Sequence, residues 1–285
     1  MLLILATSNL HKVKEIREIF AESLNGVQVL QNTSCERVKN PKNKGRVEQN
    51  YHLNNPIVKN PLQSLKIRSF KDFLTPFEIV ENGSSFAENA RIKAEAIYKA
   101  LRESLEQESL QNKTFLHKVS AEELQDLQNR DFFILSEDSG LCIDVFEGSP
   151  GIYSARFLEQ ETLRFDAWNA YKKGLSKDFD IDRLNVKRVL FELKMCNLKE
   201  SNARFVANLC LLDSQKNTKH FEGICEGRVI GEILGNSGFG YDPIFVPNGY
   251  TQTLAQIEEK NAISHRKKAL DKCIGYLQAI LAQPQ

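Results

Sequence analysis

Apolar and polar positions follow two rhythms along this chain. Leu2 to Ala6 is an unbroken apolar run, the pattern of a strand buried on both faces. Thr7-Ser8-Asn9 makes a polar turn. From about Leu10 to Leu24, Val13, Ile16, Ile19 and Phe20 recur at helical spacing with Lys and Glu between them. The N-terminus therefore reads as strand, tight turn, helix. Further on, Glu81-Asn82-Gly83 is a turn signal. Ser85-Phe86-Ala87-Glu88 fits a capping box, with Ser85 as N-cap and Glu88 reaching back to it. The helix it opens runs to about Leu101, and the Glu-, Gln- and Leu-rich residues 103–130 suggest a helical surface extension.

Phe132 to Leu135 is a second buried strand, followed directly by Ser136-Glu137-Asp138-Ser139-Gly140 and a further short strand over Leu141 to Val145. Residues 160–197 carry a helical stripe of Val186, Val189, Leu190 and Leu193. Phe205 to Leu212 reads as a strand and His220 to Ile230 as its partner, with Gly223 and Gly227 as bulges. A glycine-rich loop over Gly235 to Gly240 leads into Tyr241-Asp242-Pro243. The last helix begins near Ser264, with Leu270, Cys273, Ile274, Leu277, Ile280 and Leu281 on its core face. Strands alternating with helices, some strands joined as hairpins, predict an α/β fold with a mixed sheet.

Residues 31–72 break the rhythm. Nine Lys or Arg stand there against three acids, with Pro41, Pro56 and Pro61 and little apolar periodicity. This stretch reads as an inserted surface excursion, either a solvated loop or a basic surface for an anionic partner. The whole chain nevertheless balances 38 basic against 37 acidic residues, which disfavours a globally basic nucleic-acid coat. With 41% hydrophobic and 26% charged residues over 285 positions, the composition is that of a globular protein. No apolar run approaches the roughly 18 residues of a spanning helix, and the short apolar start lacks the shape of a secretory signal. The six cysteines form no Cys-x-x-Cys pair and read as buried free thiols of a reducing cytosol.

Polar groups gather at the ends of the apolar elements, where α/β folds place ligand sites. The Thr7-Ser8-Asn9-Leu10-His11-Lys12 turn, with free backbone N–H groups at a helix start and one lysine, suits a phosphate; simple capping by Ser8 or Asn9 is the plainer alternative. Glu137 and Asp138 are adjacent acids that extended backbone sends in opposite directions. With Glu81 they offer hard oxygens for Mg²⁺ and a base for a water, or they form an acidic turn in solvent. Phe239, Tyr241, Asp242, Lys260, Ser264, His265 and Arg266 combine aromatics with cations. Cations in the first turn of a helix oppose its dipole, which suggests an anionic or oxo-bearing ligand opposite His265 and Arg266. A phosphate cradle, an acid cluster and an aromatic pocket together point to a nucleotide phosphohydrolase.

Five stretches resemble the inosine triphosphate pyrophosphatase family of non-canonical purine NTP pyrophosphatases. They are ILATSNLHKVKEI (4–16), ENGSSFAENARIKAEA (81–96), SEDSGLCIDVFEGSPGIYSARF (136–157), GFGYDPIFVP (238–247) and EEKNAISHRKKAL (258–270), in the family's order. The resemblance implies an elongated mixed sheet flanked by helices, with two lobes around a central cleft. It implies one domain over 1–285 with insertions at about 31–72 and 103–130. The implied reaction converts ITP, dITP or XTP and water to the monophosphate and pyrophosphate, with Mg²⁺, in a cytoplasmic homodimer with no stable nucleic-acid or membrane partner.

By the same resemblance, Thr7, Ser8, Asn9 and Lys12 bind the triphosphate. Glu81, Glu137 and Asp138 hold the metal, with Asp138 as general base. Ser139 contacts substrate and Lys93 reaches phosphate or braces the acids. Phe239, Gly240, Tyr241 and Asp242 wall the base, while Lys260, His265 and Arg266 read the purine. Asn82 stands where the family commonly has Thr, and Glu137 where it commonly has Asp. Two rivals stay open: a related pyrophosphatase for other modified nucleotides, and a non-catalytic nucleotide or nucleic-acid binding module using the basic insert.

Overall fold

In a computed structural model, Leu2–Leu5 forms strand β1 with all four residues buried. The structure describes residues 1–32, 60–108, 119–161, 164–175 and 179–283, without the side chains of 25–32 and 107–108. After β1 come α1 (Leu10–Asn32), β2 (Lys66–Ser69), α2 (Phe86–Glu108), α3 (Ala121–Gln128) and β3 (Phe132–Ile143). There follow α4 (Phe165–Lys172), α5 (Ile181–Met195), β4 (Glu200–Asp213), β5 (Thr218–Ile230), β6 (Phe245–Pro247) and α6 (His265–Leu281).

The strands make one sheet in the order β2-β1-β3-β4-β5-β6. β2, β1 and β3 run parallel, and the pairs from β3 to β6 are antiparallel. The expected mixed α/β sheet is therefore present. Three apolar clusters cover it. Leu3, Leu5, Leu135 and Leu209 pack on one face against α1 and α6. Leu2, Ile4, Ile134 and Leu212 pack on the other face against α2 and α3. The third joins Leu141, Ile143, Phe205 and Val229 to α5 and β6. Between the first two clusters and the third, β3 carries Ser136-Glu137-Asp138-Ser139-Gly140, so the hydrophobic core breaks at these residues while the strand continues. This break separates two lobes.

Several expectations need correction. Phe132–Leu135 and Leu141–Val145 are not separate strands, because β4 pairs with β3 without interruption from Phe133 to Ile143. The stretch 31–72 is not wholly an insertion: β2 lies within it and pairs with β1, while residues 33–59 fall outside the described residues. The basic residues of β2 are held by acids of α3, Lys66 by Glu122 and Arg68 by Glu123. Residues 103–130 are helical as expected where described, containing the end of α2 and all of α3, with 109–118 outside the described residues. At the start of α2, Ser85 Oγ accepts from Glu88 N at 3.2 Å as expected, but Glu88 reaches back to Ser84 N and Ser84 Oγ at 2.8 and 2.9 Å.

Gly223 and Gly227 are not bulges. Both keep register, opposite Ala207 and Ala203. They are glycines because other backbone crosses close by: a Cβ on Gly223 would lie 2.1 Å from His265 O and 2.5 Å from Ala269 N. Gly275, inside α6, has open space beside it. Gly223→Ala is thus expected to destabilise the fold by about 1–3 kcal/mol or more. Gly275→Ala should stabilise it by about 0.5–1 kcal/mol. Urea unfolding of the two variants checks the opposite signs, and equal midpoints would refute the account.

Candidate active site

The turn after β1 delivers α1 to the carboxyl end of the parallel strands. Asn9 Oδ1 accepts from His11 N at 2.9 Å and Lys12 N at 3.2 Å, so Asn9 is the cap, and Thr7 Oγ1 accepts from Asn9 N at 3.2 Å. Ser8 and Asn9 remain exposed. Lys12, one turn into the helix, points back toward β3. Its Nζ donates to Ser139 Oγ at 3.2 Å and lies 3.4 Å from Glu137 Oε1. Burial lowers the pKa of Lys12, and Arg266 and Lys93 push the same way against the pull of Glu137.

Alternation along β3 sends the two adjacent acids to opposite faces, as expected. Asp138 faces α2. Its Oδ2 accepts from Asn89 Nδ2 at 3.1 Å, and its Oδ1 lies 3.3 Å from Lys93 Nζ. Lys93 also donates to Glu81 Oε2 at 2.8 Å, so one ammonium joins the two carboxylates. Burial raises the Asp138 pKa, and the Glu81 charge adds to the rise against Lys93 and Asn89.

Glu137 faces α6 and does not join Glu81 and Asp138. Its Oε2 and Oε1 accept from Arg266 Nε and Nη2, both at 2.7 Å, and Arg266 Nη1 donates to Glu15. All three side chains are buried. Desolvation would raise the Glu137 pKa, but Arg266 and Lys12 override it and hold the carboxyl well below its ordinary value. Glu137 as a metal ligand is therefore a correction: both its oxygens are committed to a guanidinium fork on the far side of the strand. Glu81 and Asp138 do fit a hard divalent ion, because they already share one cation, and Mg²⁺ uses one or two carboxylates and takes its other oxygens from water and phosphate. Among the described residues no three His, Cys, Asp or Glu side chains gather as a metal-binding group.

The glycine-rich loop brings aromatics to the other lobe's rim. The Phe239 ring lies near His11 (6.2 Å between centroids), Lys260 Nζ (4.9 Å) and Arg266 (5.6 Å). Asp242 Oδ2 accepts from Phe239 N and pairs with Lys260, which fixes the loop. Gly240 takes a positive φ of 59° and its N donates to Asp182. Tyr241 is buried and its hydroxyl donates to Ser154 O at 2.7 Å, so it braces the wall from behind.

His265 and Arg266 need no anionic ligand to offset the helix dipole. Arg266 is neutralised by Glu137 and Glu15, and burial with Arg266 nearby lowers the His265 pKa to about 3, so its ring is neutral. That ring stacks on Phe205 at 4.9 Å and 12°, with Nδ1 buried and unpartnered among the described residues. A cavity of about 160 Å³ opens here, lined by Lys12, Ser139, Phe205, Phe239, Asp242 and His265 among others. A wider cavity of about 450 Å³ shares Asn9, Asp182, Phe239 and Gly240 with it. A larger cleft of about 790 Å³ beside α5 contains none of the candidate residues.

Sequence reasoning missed Asn89, Glu15 and Phe205. Asn89 stands four residues before Lys93, on the same helical face, and Glu15 three after Lys12. Phe205 carries no local signal, since any buried strand offers a Phe.

The Helicobacter hepaticus protein named dITP/XTP pyrophosphatase is 38% identical to this chain over 239 residues, covering 78% of this chain and 91% of that one. A Campylobacter jejuni protein of the same name is 33% identical, covering 95% and 94%. A solved structure of a HAM1 protein from Coxiella burnetii superposes with a TM-score of 0.60 over 98% of this chain and 99% of that one, at 23% identity, which speaks to the fold. The Ham1 family model matches residues 42–276, most of the chain. With the family match, these relatives and one fold in agreement, this chain belongs to the Ham1 family.

Proposed function

We propose that this chain hydrolyses non-canonical purine nucleoside triphosphates (ITP, dITP and XTP) between the α- and β-phosphates, releasing the monophosphate and pyrophosphate. The observation that carries the reading is Asp138: a buried carboxylate in mid-strand, joined to Glu81 through Lys93, beside the Lys12–Ser139 pair and the aromatic cavity.

Ham1-family pyrophosphatases are metal-dependent; we assign Mg²⁺ to Glu81 and Asp138. When bound, such an ion offsets phosphate charge and polarises the phosphoryl oxygen. Asp138 accepts the proton of the attacking water, and the rise in its pKa from burial makes it a stronger base than an ordinary aspartate. Asn89 fixes the orientation of that carboxylate, while Lys93 keeps it next to Glu81. Lys12 and Ser139 meet the phosphates, and the exposed Thr7–Asn9 turn receives the tail.

Phe239 packs against the base, and His265 reads its 6-position. A neutral imidazole in the tautomer that carries its proton on Nδ1, the buried atom left without a partner among the described residues, can donate to a 6-oxo group. It would confront the 6-amino donor of ATP, a mismatch worth on the order of 10³-fold in rate. Arg266, assigned to the purine by resemblance, serves instead to hold Glu137 and Glu15. The five described cysteines are free thiols, four of them buried, in keeping with a reducing cytoplasm. No described helix is long and apolar enough to cross a membrane. We also assign the homodimeric state, which light scattering checks.

Pyrophosphate release from ITP, dITP, XTP, GTP and ATP, with Mg²⁺ and with EDTA, tests the reading. ITP, dITP and XTP turnover should exceed ATP turnover by about 10²-fold or more and vanish in EDTA. Nucleotide binding without pyrophosphate release would overturn it in favour of a binding module.

A further inference from the structure

The candidate site does not carry enough positive charge for the ligand we assign to it. Its four expected cations, Lys12, Lys93, Lys260 and Arg266, are each paired with an acid of the site. The acids so engaged are five: Glu15, Glu81, Glu137, Asp138 and Asp242. The set is net negative by one charge, His265 is neutral, and Asp182 adds a further carboxylate at the cavity. A triphosphate brings about four more negative charges, of which a divalent ion cancels half. Desolvating that surplus in a cleft is unfavourable without further cations.

Two cations outside the expected set border the site. Lys71, just beyond β2, is exposed, and its Nζ donates to Ser8 O at 3.2 Å, in the turn before α1. Arg156, between β3 and α4, donates from Nη2 to Glu81 O at 3.3 Å, with its guanidinium 5.2 Å from the Tyr153 ring centroid. Neither has a carboxylate within ion-pair distance among the described residues, in contrast to the four inner cations. Each uses one donor on a backbone carbonyl and keeps others free: Lys71 has three N–H groups and Arg156 five. Lys71 is tied to the turn before α1 and Arg156 to the segment of Glu81, so they flank the polar residues that follow β1 and those in the middle of β3.

We infer that Lys71 and Arg156 are further substrate-binding residues, which take the phosphate tail from its two sides and supply the charge that the inner site lacks. This rests on the reading of the site as a nucleoside triphosphate pyrophosphatase. It also assigns a task to the 60–72 segment, which brings Lys71 beside the phosphate turn.

Inorganic tripolyphosphate, with Mg²⁺ present, is the probe, because it carries the tail without the base. Binding is read by calorimetry for wild type, Lys71→Gln, Arg156→Gln and the charge-conserving Lys71→Arg and Arg156→Lys, with IMP as the comparison ligand. Glutamine can still donate to the carbonyl of Ser8 or Glu81 but has no charge. Each glutamine variant should bind tripolyphosphate about tenfold more weakly, with a smaller change toward IMP, and the charge-conserving variants should recover most of the loss. A latch that acts only through folding would weaken both ligands alike or neither, and either result overturns the inference. If a glutamine variant does not fold, Lys71→Met or Arg156→Met takes its place and the salt dependence of tripolyphosphate binding decides: a slope lower than wild type by about one charge supports the role, and a slope matching wild type overturns it. If wild type binds tripolyphosphate and releases pyrophosphate from ITP while the variants bind unchanged, this inference alone falls. If wild type does neither, the pyrophosphatase reading falls and takes the inference with it.

Discussion

Asp138→Asn is expected to lower kcat for ITP by about 10³-fold or more, because it removes the proton acceptor and one of two metal carboxylates together. The substitution is nearly isosteric, and asparagine can still accept from Asn89 Nδ2. Lys93 keeps Glu81 as its partner at 2.8 Å. The loss should therefore come without unfolding, and the direction of the Asp138 pKa strengthens this. Burial raises that pKa in the folded chain, so folding disfavours the ionised form. A group of this kind contributes stability below its unfolded pKa, and that contribution is lost as pH rises through the folded pKa. At neutral pH the neutral amide should be at least as stable as the carboxylate. Pyrophosphate release and urea unfolding on the same preparation test both halves. Turnover within tenfold of wild type would remove Asp138 from the chemistry. A large fall in stability would show that the carboxylate is structural.

Arg266→Leu is expected to cost about 3–5 kcal/mol of stability, the largest single loss anticipated in this fold. The guanidinium is fully buried between three elements: Glu137 of β3, Glu15 of α1 and its own α6. Leucine would leave two buried carboxylates with one remaining cation nearby, Lys12, which touches only Glu137. Glu137 supplies the matching pH dependence. Its folded pKa lies well below the unfolded value, so its contribution is present above the unfolded carboxyl pKa and is lost as pH falls through the folded one. Wild type should lose stability steadily from about pH 4 downward, and Glu137→Gln should show a flatter acid limb over that range. Urea midpoints between pH 2 and 7 measure both effects. An Arg266→Leu midpoint within 1 kcal/mol of wild type would show that the triad contributes little.

The two substitutions separate neighbours that look alike in sequence. Glu137 and Asp138 are consecutive acids, and local pattern offers both as metal ligands. Strand alternation already says that they diverge, but it does not say what waits on each side. Asp138 meets a lysine shared with Glu81, whereas Glu137 meets an arginine 129 positions later in the chain. The placement of His265 and Arg266 in the first turn of α6 suggests an anionic ligand by local pattern; the protein supplies its own anions to Arg266 and leaves His265 neutral. Similarly, Gly223 and Gly227 read as bulges because a glycine in a strand signals either a bulge or a close approach, and only the path of α6 and β6 distinguishes them.

The amino-acid sequence by itself determined the elements whose signals are local. The apolar run of β1, the heptad-like stripe of α6, the Ser85 and Ser264 starts and the alternation through Glu137 and Asp138 all depend on residues within a few positions of one another. Polar residues at strand ends likewise marked where chemistry would gather. The tertiary structure decided what depends on distant partners: β2 adding to β1 across residues of weak periodicity, β3 running unbroken through its polar centre because β4 pairs with it, and the division of the carboxylates between Lys93 and Arg266. Periodicity is a property of one element, whereas pairing, burial and charge compensation belong to contacts between elements, and those exist only once the chain has closed.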